Sequence, residues 1–215
     1  MQLLSVNIGK PRTQQNKDKP ETTGIYKMPT PGPVQIMALG IAEDFIGSPK
    51  HHGGPDQAVY LYGAPDYEWW SKELGKELGP GTFGDNLTLS DLESAHFNIG
   101  DRFEMGSVML EVTAPRIPCG TLARRMGDPF FVKKYRRAER PGLYCRVIRE
   151  GTVEAGDAVS VERFTGEAVG VIEVFRDYYQ RDKDEATLRR FLRAPIAIRA
   201  RKDMELDLEK LLAER

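Results

Sequence analysis

The sequence predicts an α+β fold, mainly β, with a barrel-like or sandwich sheet and a small bundle of helices at its C-terminal end. Three observations carry this. Short β-like runs fill the first three-quarters of the chain, clusters of Gly, Pro and Asp separate them, and after about Thr165 the apolar spacing changes from strand-like to helical.

Taken in order, the strand candidates are Met1 to Ile8, Gly24 to Met28, Val34 to Ile41, Ala58 to Tyr62, Arg102 to Met105, Val108 to Val112, Leu143 to Glu150 and Ala158 to Arg163. Between the first two lies a polar stretch, Gly9 to Thr23, whose composition favours solvation over packing and reads as a mobile loop. Helices interrupt the strands rather than alternate with them. Pro65 to Leu78 is amphipathic, with proline near its start and Tyr67, Trp70, Leu74 and Leu78 close to one stripe, so that stripe is expected against the sheet. In the tail, Val174 to Tyr179, Glu185 to Ala194 and Met204 to Ala213 carry helix-period apolar positions. Asp184 is a candidate N-cap, Pro195 a breaker, and the last helix is expected to begin after Asp203. The division expected is 1–165 for the β domain and 166–215 for a three-helix extension.

Composition narrows the function. The 215 residues suffice for a real core, and 31 basic against 32 acidic residues leave a formal charge of −1. That balance gives no long-range attraction to nucleic acid or an anionic membrane, so any anion site must be local. No run approaches the roughly 18 apolar residues of a membrane span, and the N-terminus lacks a basic leader, so a cytoplasmic protein is expected. The two cysteines are expected as free thiols.

Cys119 is the most informative residue. It sits in Pro115-Arg-Ile-Pro-Cys-Gly-Thr-Leu-Ala-Arg-Arg, ahead of a helix-compatible run and between arginines, where backbone N–H groups and guanidinium charge both favour the thiolate. The bland alternative is a small buried hydrophobe. Cys145 fits that alternative better, since Leu143, Cys145 and Val147 share one face of an alternating strand. A second cluster, Lys50-His-His-Gly-Gly-Pro-Asp-Gln-Ala-Val, sets His51 and His52 before Gly53 and Gly54. The glycines allow close backbone approach and an imidazole can move a proton, although a tight solvated loop would read the same way. Neither Cys-x-x-Cys nor His-Glu-x-x-His is present to indicate zinc. A third cluster, Gly81-Thr-Phe-Gly-Asp-Asn-Leu-Thr, places Asn86 in a turn where its amide could pin a loop or meet a heteroaromatic ligand.

The order of Lys50-His-His-Gly-Gly-Pro-Asp-Gln-Ala-Val, Phe83-Gly-Asp-Asn-Leu, Gly100-Asp, Pro115-Arg-Ile-Pro-Cys and Gly142-Leu-Tyr-Cys-Arg-Val resembles the MOSC family, named after the C-terminal domain of molybdenum cofactor sulfurase. The tail, with Ile172-Glu-Val-Phe-Arg-Asp-Tyr-Tyr, is similar to the extension of the YiiM-like bacterial branch. The resemblance implies a MOSC-type β-barrel and binding of the molybdenum cofactor (molybdopterin). It matches Cys119 to the family cysteine, a molybdenum ligand in amidoxime-reducing relatives and associated with sulfur transfer in sulfurases, and matches His52 to the histidine before Gly-Gly-Pro-Asp. Lys50, Arg116 and Arg124 are candidates to neutralise the pterin phosphate, with His51, Gly53, Gly54 and Asn86 completing the expected cofactor site.

One departure stands out. Relatives often carry a Gly-Asp-Arg-like stretch upstream of the histidine, whereas this chain reads Gly40-Ile-Ala-Glu-Asp-Phe-Ile-Gly-Ser-Pro-Lys, so either Lys50 supplies the missing charge or the ligand is held differently.

Two functions follow from the resemblance. One is an oxidoreductase acting on small N-hydroxylated bases or amidoximes, with His52 as proton donor and electrons from a separate flavin or haem reductase, there being no flavin or nicotinamide fingerprint. The other is a persulfide carrier or a module that binds and delivers the cofactor. A metal-free Cys-His hydrolase is a third reading, without an orienting residue in any motif. The residues ahead of the motifs are too few for a pyridoxal-dependent domain. The tail could bind a redox partner, cap the barrel or make a homodimer contact.

Overall fold

The computed structural model describes residues 1–16, 19–49 and 52–213. Thirteen strands occur along it: β1 (Leu3–Gly9), β2 (Arg12–Asn16), β3 (Lys19–Thr23), β4 (Lys27–Pro29), β5 (Val34–Met37), β6 (Gly40–Ile41), β7 (Val59–Gly63), β8 (Leu87–Leu89), β9 (Arg102–Met105), β10 (Val108–Pro115), β11 (Leu143–Arg149), β12 (Gly151–Val153) and β13 (Val159–Glu162). Six helices join them: α1 (Ala64–Leu74), α2 (Gly120–Met126), α3 (Phe131–Ala138), α4 (Val171–Asp177), α5 (Glu185–Phe191) and α6 (Ile198–Ala213).

Eight strands form one sheet in the order β13-β9-β10-β11-β7-β8-β1-β4, antiparallel except where β7 meets β8. The sheet curls until Gln2 bridges Ala158, and Met1 and Val159 exchange backbone hydrogen bonds. No ladder completes the circuit among the described residues, so the barrel-like sheet expected is curled without being closed. The reason lies in β1, whose second edge is taken by β4 at Asn7–Gly9 and leaves only its first residues to meet β13.

The polar stretch expected as a mobile loop contains a hairpin, β2 paired with β3 from Arg12↔Thr23 to Asn16↔Lys19. Its residues are mostly solvated, which is why its composition resembles a loop. The Val34 to Ile41 run splits into β5 and β6 around a tight turn, and the last helix begins at Ile198 instead of after Asp203. Asp184 does cap α5, accepting from Thr187 N at 2.9 Å.

Two apolar clusters cover the sheet. One is largely aliphatic, built from Leu3, Val6, Leu61, Leu110 and Cys145, and it takes in Val171, Val174, Leu188, Phe191 and Met204 of the C-terminal helices. The other is aromatic, with Tyr62, Trp70, Phe83, Phe131 and Tyr135 fully buried beneath α1 and α3. Its polar tips are paired, Trp70 Nε1 donating to the Tyr62 hydroxyl at 2.9 Å and the Tyr60 hydroxyl to Pro141 O at 2.9 Å. Removing a ring such as Trp70 would cost about 3–5 kcal/mol.

Candidate functional site

A cleft of about 420 Å³ opens beside the aromatic cluster, within the range of small-molecule sites. Strand β10 leads into it. After Pro115 the chain turns through Arg116-Ile-Pro, and Cys119 becomes the N-cap of α2 in extended conformation, its carbonyl accepting from Leu122 N and Ala123 N at 3.1 and 3.2 Å. Pro118 cannot donate and keeps the entry extended, so the thiol stands where the first amides of the helix are free.

Burial by itself would raise the Cys119 pKa. Against that act a hydrogen bond from His52, the charge of Arg116 and the Leu122 amide, and together they bring the thiol down from 9.0 to about 6. Cys119 is therefore largely thiolate at neutral pH and partly exposed to the cleft. Cys145 has the opposite fate on β11, where full burial, then Glu111, push its thiol far up.

Arg116 is 4% exposed and donates through Nη1 to Phe83 O, while its Nε is buried with no protein partner. Burial opposes its charge, but Tyr144, Tyr60 and the Cys119 sulfur outweigh it and hold the guanidinium protonated. Gly84, at φ 75°, makes room for it, since a Cβ there would lie 3.2 Å from Nη1.

The opposite wall comes from the start of the chain. Ile25 and Lys27 face the cleft, and Lys27 is buried against Asp44 in an ion pair; burial lowers its pKa and Asp44 partly restores it. Asp44 also accepts from Gly9 N at 2.7 Å and Asn86 Nδ2 at 2.9 Å. Asn86 Oδ1 accepts from Tyr60 N at 3.1 Å. The Asn86 amide thus pins the loop around Asp44 to β7 with both of its ends.

His52 and Gly53, Asn86, and Arg116 with Cys119, from three separate segments of sequence, line this one cleft. Gly53, at φ 74°, lies so close to Ile46 that a Cβ would meet Cδ1 at 2.6 Å. Gly54 instead opens the short turn Pro55–Gln57. Arg124 is spent elsewhere: it pairs with Glu21 at 2.8 Å and donates to Gln14 and Asn16, clipping the β2–β3 hairpin to α2. Lys50 and His51 lie outside the described residues. Lys27, Asp44, Gln57, Tyr144 and Tyr178 also line the cleft and escaped the sequence reading. Only Lys27 left a signal, a lysine in phase with the apolar Ile25 of the same run.

Among the described residues no three His, Cys, Asp or Glu side chains converge as a metal cluster, and no helix is long and apolar enough to cross a membrane. Among the described residues Cys119 is the sulfur donor that faces the cleft.

A family model described as the MOSC domain matches residues 48–160. The chain is 36% identical over 154 residues to the uncharacterized protein YflK of Bacillus subtilis, 72% of this chain and 70% of that one. It is 35% identical over 144 residues to a protein of Gibberella moniliformis named reductase, 65% of this chain but 26% of that one. The crystal structure of YiiM from Geobacillus stearothermophilus superposes with a TM-score of 0.78 at 25% identity, over 96% of this chain and 98% of the other. The chain belongs to the MOSC domain family.

Proposed function

We propose that this protein holds a molybdenum cofactor in the cleft and reduces small N-hydroxylated compounds, with electrons arriving from a separate flavin or haem reductase. The observation that carries this reading is the Cys119 thiol, brought down to about 6 and open to a cleft that also holds an imidazole and two buried cations. The residues fit such a group. A thiolate is a soft donor suited to molybdenum, and Arg116, whose buried Nε has no protein partner and whose charge no carboxylate among the described residues pairs, can neutralise part of a phosphate. When bound, the cofactor would supply the two electrons that, with one proton relayed by His52 and one from solvent, convert N–OH to N–H and water. Cys119 would anchor it, and Arg116 would orient its anionic end. His52, which lines the same cleft and favours the thiolate, would hold one of the protons that the leaving hydroxyl needs. A relative named reductase and the YiiM-like fold support a reductive role.

The test is to purify the protein from a host that makes the cofactor and measure molybdenum, pterin fluorescence and reduction of 6-hydroxylaminopurine with an artificial electron donor. Stoichiometric molybdenum and turnover, both lost in Cys119→Ala, are expected. A persulfide on Cys119 without molybdenum would replace this reading with sulfur carriage.

A further inference from the structure

A second pocket, of about 520 Å³, opens on the other face of the segment that walls the Cys119 cleft. Ile25 and Lys27 line the cleft, whereas Tyr26 and Met28 line this pocket, as the alternation of an extended chain requires, and no residue lines both. Lys10, Arg12, Glu43 and Arg125 supply its charges.

Those charges do not balance. Lys10 is answered by Glu43 at 2.9 Å, but no carboxylate among the described residues pairs with Arg12 or Arg125. Both guanidiniums rest against the one Tyr26 ring, their carbons 4.1 and 4.4 Å from its centroid, so two like charges are gathered where nothing of opposite sign meets them. Arg125 is partly buried; burial and, to a lesser degree, the charge of Arg12 lower its pKa against the pull of Tyr26. Its neighbour Arg124 shows the ordinary solution, a carboxylate from Glu21 at 2.8 Å. The frame around the pair is fixed, since Gln14 Nε2 donates to the Tyr26 hydroxyl at 2.9 Å and Arg125 Nε to Thr82 O at 3.3 Å.

We propose that this pocket is an anion site that takes a phosphate group, held by Arg12 of β2 and Arg125 of α2. A phosphate carries about −1.5 to −2 at neutral pH, which matches the two unanswered guanidinium charges, and its oxygens suit the planar fork of an arginine. Bound there, it would tie the β2–β3 hairpin to α2, the helix that Cys119 caps, adding a second link to that of Arg124 with Glu21. The site is independent of the function proposed above, whose residues line the other cleft.

Calorimetric titration of the full chain with inorganic phosphate and with ribose 5-phosphate, at fixed ionic strength, is the test. Arg12→Gln and Arg125→Gln are each expected to weaken binding about tenfold or more. Arg12→Lys should keep part of it, and Arg137→Gln, at an exposed arginine of α3, should leave it unchanged. Arg12 is itself exposed, so its replacement does not threaten the fold. Tighter binding of ribose 5-phosphate would identify an organic phosphate as the occupant, and equal binding the phosphate group alone. The site is overturned if the wild-type protein binds neither, if Arg12→Gln and Arg125→Gln bind as the wild type does, which would put the anion in the Arg116 cleft, or if Arg137→Gln weakens binding as much as Arg12→Gln, the mark of general attraction to a basic surface. Molybdenum content should be the same in Arg12→Gln and wild type, so loss of this site leaves the cofactor reading where it stood.

Discussion

Cys119 and Cys145 are the same side chain set against two different cores, and the contrast explains how the fold separates stability from chemistry. Cys145 lies in the aliphatic cluster, with no exposure and no cation strong enough to offset burial, so its sulfur stays a protonated hydrophobe. Cys119 packs at the edge of the aromatic cluster, whose rings bury area yet carry polar tips, so an imidazole, a guanidinium and the Leu122 amide can act on the sulfur. Burial weighs against both thiolates. What differs is whether the surroundings can answer it.

Thiol reactivity should split this pair most widely. At pH 7, iodoacetamide is expected to label Cys119 at least about a hundredfold faster than Cys145 in folded protein, since only the thiolate attacks and only Cys119 is open. The labelling rate should rise through pH about 6, and His52→Ala should move that midpoint toward the ordinary 9.0. Mass spectrometry of the labelled peptides measures both, and equal labelling would erase the distinction.

The cleft side also depends on a buried charge pair, which the aliphatic side does without. Lys27→Met should destabilise the fold by about 3–5 kcal/mol in urea unfolding, because Asp44 would be left buried and unpaired. Adding Asp44→Asn should recover part of the loss. A Lys27→Met protein as stable as wild type would mean that the pair contributes nothing.

A further effect concerns pH. A thiol at about 6 when folded and about 9 when unfolded ionises first in the folded state, so its charge adds stability that is complete above about pH 9 and lost as pH falls through about 6. Cys119→Ser should therefore flatten the rise of Tm between those limits, while Cys145→Ser should leave the slope and lower the whole curve. Parallel slopes for Cys119→Ser and wild type would contradict the assigned shift.

The β runs were legible because alternation and turn residues are local signals. Arg102–Met105 emerges with the bounds expected, and Val108 to Val112 is extended only to Pro115. The β2–β3 hairpin was hidden because neither of its faces is wholly buried; its partner is Arg124, 103 residues from Glu21. For the cleft, Cys119 and His52 stood out by their neighbours and their order. Lys27, Asp44, Gln57 and Tyr178 did not, since their meaning lies in burial, a missing hydrogen-bond partner or an exposed ring, none of which short-range pattern records. Arg124 looked like a ligand-holding cation for the same reason, its carboxylate partner being distant in the chain.

The turn Pro55–Gln57 is held by α6, since Asp56 accepts from Ile198 N at 2.7 Å, and this carries a practical corollary. A recombinant fragment that stops where the sheet ends would strip the turn that follows His52 and Gly53 of its anchor. Thiol labelling or ligand binding measured on such a trimmed protein would report a loosened cleft, so those assays belong on chains that keep α6.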